Sequence, residues 1–319
     1  MFHKTLLTLL GGAMALTLLS VQPAMAQSGY DGAATTTGRA GDIVRDDDDD
    51  NRARRDRNLR QTRRNAEPSP EQNRAAAQTL LTAAGISCQV SEATLLGVTA
   101  EQHSTYEAVC PGGPGYLVIG STPPQTFNCI ELAGQAETSR LRDPAADVGQ
   151  QCTLPVNLAP VPVLSAYARE AGIDCTVDQA SAIGKSPAGN LIYEIGCTDR
   201  DGYWLEKADG AWKKTPCWDL ALQDAPCRYS TPAESLEVWK TILAGTEAAA
   251  CDVQQARRAG RDAQGLTVYE VKCGAGDGYF ARVNDTWTAQ RVHPCATAQA
   301  IGGGCTLTVV PAATAPTQQ

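Results

Sequence analysis

Three glutamates recur at one spacing, and they are the side chains on which chemistry could be built. Glu107, Glu194 and Glu270 each follow a tyrosine (Tyr106, Tyr193, Tyr269) and stand three positions before a cysteine (Cys110, Cys197, Cys273). Each also precedes a Gly-Tyr pair, Gly115-Tyr116, Gly202-Tyr203 or Gly278-Tyr279. Paired carboxylates do acid and base work at a glycosidic bond, but glutamates from separate copies of a motif need not approach one another. Strand alternation puts each Tyr and Cys on the buried face and turns each Glu outward. The expectation is therefore a repeated surface for recognition, with Glu194 beside Trp204 and Lys207, and Glu270 beside Phe280.

Other chemistry has little to work with. Past the first 26 residues there are two histidines, His103 and His293, at non-equivalent positions. A Cys-His or Ser-His-Asp site needs a histidine placed by third groups, and no phosphate loop, H-E-x-x-H, G-x-S-x-G or C-x-x-C stands in the chain. No catalytic residue and no cofactor are expected. All 12 cysteines lie between Cys88 and Cys305, four to each copy of the motif. Zinc needs ligands in close pairs such as C-x₂₋₄-C, whereas the closest cysteines here, Cys217 and Cys227 or Cys295 and Cys305, are ten apart. No metal site is expected, and disulfides are.

The leading pair of cysteines in each copy is 22 positions apart. One opens a first strand and the next closes a second, so an antiparallel hairpin sets them opposite each other, pairing Cys88 with Cys110, Cys175 with Cys197, and Cys251 with Cys273. Closing a loop of that size is worth about 3 kcal/mol in the chain-entropy account. The remaining cysteines then pair as Cys129 with Cys152, Cys217 with Cys227, and Cys295 with Cys305. Four cysteines allow three connectivities, and this is the one that hairpin geometry favours.

The elements that must position these residues read as α+β. Ser69-Pro70-Glu71-Gln72 and Thr231-Pro232-Ala233-Glu234 are capping-box helix starts. Apolar stripes follow at Leu80, Leu81 and Ala84, at Leu164, Ala168 and Ala171, and at Leu236, Trp239 and Leu243. Gly85, Gly172 and Gly245 then stop the helices. After each stop the period falls to two. A turn on Asp201-Gly202 or Asp277-Gly278, or on Gly112 to Gly115 in the first copy, leads into a third strand. Each unit is thus expected to be a helix on a small antiparallel three-stranded sheet, closed by a cysteine-flanked helical turn. In order of elements alone this is similar to small periplasmic modules of the PepSY kind, a resemblance that carries no residue motif and implies inhibitory or peptide-binding roles. Cys129 to Cys152 is longer than its counterparts by 13 residues, including Ser139-Arg140-Leu141-Arg142-Asp143-Pro144. This basic insertion is expected in a surface loop, and Arg140 and Arg142 are its candidate contacts.

Composition supplies the setting. Lys4, the apolar run Leu6 to Leu19 and Ala24-Met25-Ala26 read as a signal peptide over 1–26, too short and broken for a membrane span. Residues 27–68 read as a disordered charged linker, poor in large apolar groups. Its arginines, from Arg52 to Arg64, could touch an anionic surface. The units follow as 69–155, 156–230 and 231–310, with a disordered tail at 311–319. Net charge is -8, and from residue 79 onward 16 Lys/Arg face 25 Asp/Glu, so the units are not expected to bind nucleic acid. The combined expectation is a secreted or periplasmic bacterial protein without a transmembrane span in its mature form. It binds or scaffolds a protein or cell-envelope component. An inhibitor of a protease or other hydrolase is the alternative, and an enzyme would need a concave site of converging polar groups.

Overall fold

The computed structural model describes residues 67–300 and 303–308; the signal-peptide expectation, nearly all of the linker and the C-terminal tail lie outside them. Helix α1 (Pro70–Ala83) starts as its sequence dictates, with Ser69 Oγ accepting from the Gln72 amide at 3.3 Å and the Ser69 amide donating back to Gln72 Oε1 at 2.8 Å. It ends at Gly85, whose φ of 73° is open to glycine. Four strands follow: β1 (Glu92–Val98), β2 (Ser104–Val109), β3 (Tyr116–Ile119) and β4 (Gln125–Asn128). They pair in that order as one antiparallel meander. Helix α2 (Cys129–Arg142) closes the first unit.

The second unit repeats the order as α3 (Pro160–Glu170), β5 (Val177–Lys185), β6 (Leu191–Cys197), β7 (Arg200–Ala208), β8 (Ala211–Pro216) and the short α4 (Cys217–Ala221). The third gives α5 (Pro232–Ile242), β9 (Val253–Arg261), β10 (Thr267–Cys273), β11 (Tyr279–Val283) and β12 (Ala289–Pro294). Six disulfides join the cysteines in the pairs the hairpins favour, Cys88–Cys110, Cys129–Cys152, Cys175–Cys197, Cys217–Cys227, Cys251–Cys273 and Cys295–Cys305.

Three expectations need correction. Each sheet has four strands, not three, which also departs from the helix-plus-three-strand order of PepSY-type modules. The fourth strand was hidden because Lys213-Lys214-Thr215 in β8 and Gln290-Arg291 in β12 lack apolar alternation. The turn of the second unit is misplaced as well. Cys197 pairs with Arg200, so the chain reverses at Thr198-Asp199, and Asp201-Gly202 lie within β7. An Asp-Gly turn is present, but at Asp209-Gly210 between β7 and β8, where both residues have positive φ as a tight hairpin requires. Finally, the 13-residue insertion is in part a longer helix: α2 runs 14 residues where α4 runs 5.

Each sheet is used on both faces. In the first unit, Ala93, Ala108 and Val118 pack on Ala77 and Leu81 of α1, while Leu117 on the other face packs with the Cys129–Cys152 disulfide and Leu132. Glycine bulges bend the first strand of every unit at the same place, at Gly97, Gly184 and Gly260, with φ of 146°, 154° and 143° that side chains rarely adopt.

The helix that closes one unit supplies core to the next. Ile130, directly after Cys129, lies in the second unit's core with Leu164, Tyr193 and Leu205. Trp218, directly after Cys217, lies in the third unit's core, its ring centroid 5.1 Å from Trp239 and 5.3 Å from both Tyr269 and Trp287. Around them, Glu131 pairs with Lys185 at 2.5 Å, Glu137 with Arg228 at 2.7 Å, and the Tyr269 hydroxyl donates to Asp219 at 2.6 Å. Gly134 must be glycine because a Cβ there would overlap the Ala182 carbonyl, so α2 rests directly on edge strand β5. After Cys295 the same position holds Ala296, small and exposed.

Truncating Trp218 to alanine removes a ring from a neighbouring unit's core and is expected to destabilise the protein by about 3–5 kcal/mol. Hydrogen exchange should accelerate in β9 to β12 before β1 to β4; equal acceleration in all three sheets would contradict the insertion as the link between units.

Candidate functional site

The recurring glutamates are enclosed. Glu107, Glu194 and Glu270 expose 0%, 1% and 0% of their surface, which corrects the outward orientation expected from alternation. The alternation itself holds: each Glu does point away from the α-helix-facing side of its sheet. That second face is covered as well, by the segment that follows the last cysteine of the unit.

The cover comes from the same chain positions in each unit. Glu107 Oε2 accepts from the Thr153 amide at 2.8 Å and the Thr153 hydroxyl at 2.8 Å, and its Oε1 from the Leu154 amide at 2.9 Å and Asn157 Nδ2 at 2.8 Å. Glu194 Oε1 accepts from the Arg228 and Tyr229 amides at 2.5 and 2.7 Å, and its Oε2 from Trp204 Nε1 at 3.1 Å. Glu270 Oε1 accepts from the Leu307 amide at 2.6 Å, and its Oε2 from the Thr306 amide at 2.9 Å and Arg257 Nε at 2.5 Å. In every case two of the donors are the backbone amides of the two residues directly after the closing cysteine, Cys152, Cys227 or Cys305. The disulfide tethers the segment, and the carboxylate clamps it to the sheet.

The rest of the motif serves this latch. A Cβ at Gly115 would overlap the Asn157 side chain, one at Gly202 the Ile195 carbonyl, and one at Gly278 the Thr308 hydroxyl. The Gly202 amide donates to Ser230 Oγ at 2.7 Å. Glycine before Tyr116, Tyr203 and Tyr279 thus lets the returning segment lie against the third strand.

Electrostatics agree with a structural carboxylate. Burial alone would raise Glu107, but hydrogen bonds from Asn157, Leu154 and Thr153 outweigh it and hold the group below the ordinary glutamate range. Glu270 is likewise lowered, with the Thr306 and Leu307 amides and the Arg257 guanidinium overcoming burial. An ionised carboxylate ringed by donors has no lone pair directed at a substrate. Glu107 with Cys129 and Cys152, and Glu270 with Cys295 and Cys305, stand close enough to suggest metal ligation. The sulfurs are bonded to each other and offer no thiolate.

The other sequence candidates separate. Trp204 is half-buried and hydrogen-bonded to Glu194, whereas Lys207 lies over the Trp212 ring at 5.1 Å. Phe280 is 0% exposed, with the Arg257 guanidinium 6.0 Å from its ring. The expected Glu270–Phe280 surface patch is therefore interior, because β11 turns Phe280 toward the latch. Arg140 and Arg142 are exposed in the last turn of α2, where cations suit the helix dipole. Sequence reading missed Thr153, Leu154, Asn157, Ile130, Trp218 and Asp219. A large apolar residue directly after the third cysteine of the first two units was the available signal for Ile130 and Trp218.

Replacing Glu107 with alanine leaves amides without an acceptor and should lower unfolding free energy in urea by about 2–3 kcal/mol, whereas alanine at exposed Glu92 should change it by less than about 0.5 kcal/mol. Because folding lowers Glu107 and Glu270 from the ordinary value of 4.5, their stabilisation is full above that pH and is lost as pH falls through the folded value. Asp201, raised by burial, acts in the opposite sense, so Glu107→Gln is the comparison: its urea midpoint should fall less between pH 5 and about 3 than that of the unaltered chain. Parallel curves would contradict the ionised latch. No known protein family, no curated protein and no solved structure matches this chain.

Proposed function

We propose that the chain is an exported, non-catalytic binding or envelope-scaffolding protein, built as three disulfide-stapled modules in tandem and acting in the periplasm or outside the cell. The observation that carries this reading is the occupancy of the recurring carboxylates. Each is closed off by its own chain's amides, so the motif makes modules, and recognition falls to surfaces on which the modules differ. Six disulfides suit an oxidising compartment. No helix among the described residues is long and apolar enough to cross a membrane.

The handover of Ile130 and Trp218 between units favours a scaffold over beads on a string, since each link is core and not linker. The exposed α2 end with Arg140 and Arg142 is the proposed contact for an acidic protein or envelope component. Residues 27–68 are the proposed tether to an anionic surface.

The test is fractionation followed by affinity capture from envelope extract, using the mature chain, the chain lacking 27–68 and the R140E/R142E variant. Recovery of one partner in the oxidised extracytoplasmic fraction, weakened by R140E/R142E, is the expected result. A cytosolic protein with free thiols, or turnover of a substrate by the purified chain, would contradict the proposal.

A further inference from the structure

The face beside the latch differs between units in one consistent way. In the second unit, Lys185 ends the first strand, Ile192 pairs with Glu206, and Trp204 pairs with Thr215. In the third, the same positions hold Arg261, Val268 with Arg282, and Phe280 with His293. In the first they hold Val98, Thr105 with Ile119, and Leu117 with Phe127. Two charged side chains have become Val98 and Ile119. A large aromatic has become Leu117.

The consequence is a recess. Leu96, Val98, Leu117, Ile119, Phe127 and Leu132 line a groove of about 490 Å³, with no charged side chain on its wall. The corresponding hollow of the second unit is about 310 Å³ and carries Glu206 and Lys213. In the third unit Phe280 is fully buried and Arg282 lies 3.4 Å from Asp262. Val98 and Phe127 remain 59% and 39% exposed, an unfavourable placement for large apolar groups at neighbouring positions. Leu132 from α2 and the segment at Val148 wall one side, so the surface is concave, and its volume falls in the range of small-molecule sites.

We propose that this groove binds an uncharged, apolar small molecule, and that the first unit alone carries the site. The chemistry of the wall sets the class: with Thr99, Thr105 and Gln150 its only polar side chains it has no charge to neutralise an anion or cation, while apolar burial rewards a hydrocarbon or aromatic body. The site stands apart from the scaffold contacts, because neither Ile130 nor the exposed arginines line it. Its success or failure is therefore read independently of partner capture.

N-phenyl-1-naphthylamine, an uncharged fluorescent probe, is titrated into the mature chain. One saturable site per chain is expected. Introducing the second unit's charges as V98K/I119E should weaken binding at least tenfold, while L141E/L158E, on a separate exposed apolar patch, should leave it unchanged. Methyl NMR of the unaltered chain with the same probe gives a reading free of any folding defect: shifts should gather at Val98, Leu117, Ile119 and Leu132. Absence of saturable binding, equal affinity in V98K/I119E, shifts gathered elsewhere, or self-association of the chain that V98K/I119E abolishes would each overturn the proposal.

Discussion

A carboxyl group taken out of water must find its hydrogen bonds within the protein, or its burial is costly. That constraint organises each unit. Glu107, Glu194 and Glu270 sit on second strands with no exposed surface to speak of, and the only donors that reach them in every unit are two successive amides of the returning segment. The segment must therefore cross the sheet at one height. Its closing cysteine must already be held nearby, and the third strand must present glycine where the two backbones meet. The disulfide, the glycine and the glutamate of the motif are three parts of one requirement.

This explains how so small a unit can cover both faces of its sheet. The leading helix buries one face with a short stripe, Ala77 and Leu81 in the first unit and Trp239, Ile242 and Leu243 in the third. The latch buries the other together with its disulfide and a few apolar side chains, Leu117 in the first unit and Val268 and Phe280 in the third. A thin core of this kind is supplemented covalently, and it is supplemented again by the neighbouring unit, through Ile130 and Trp218. Tyr106 is half-buried, whereas Tyr193 and Tyr269 are 7% and 0% exposed. The same side chain becomes more enclosed wherever a preceding unit covers it.

Cysteine spacing made the hairpins and their disulfides legible, because an antiparallel pair fixes which ends meet. The capping boxes at Ser69 and Thr231 and the stops at Gly85, Gly172 and Gly245 were legible for the same reason: each is a local rule satisfied by adjacent residues. The direction of the glutamates was only half legible. Period-two alternation assigns a side chain to a face, but whether a face is wet depends on a segment that lies 34 to 50 residues away in sequence. The same long-range cover hid the fate of Phe280. The fourth strands were not legible because Lys213-Lys214 in β8 and Gln290-Arg291 in β12 break the apolar alternation that marks a strand; in the second unit the Asp-Gly turn into β8 is Asp209-Gly210, and Asp201-Gly202 are already extended.

The most direct measurement of the latch is native-state amide exchange at Thr153, Leu154, Arg228, Tyr229, Thr306 and Leu307 in the oxidised chain. These amides lie outside regular strands and helices, so only the buried carboxylates can protect them. Protection comparable to that of central strands β2, β6 and β10 is the result this account requires, and exchange at the rate of exposed loop amides would contradict it.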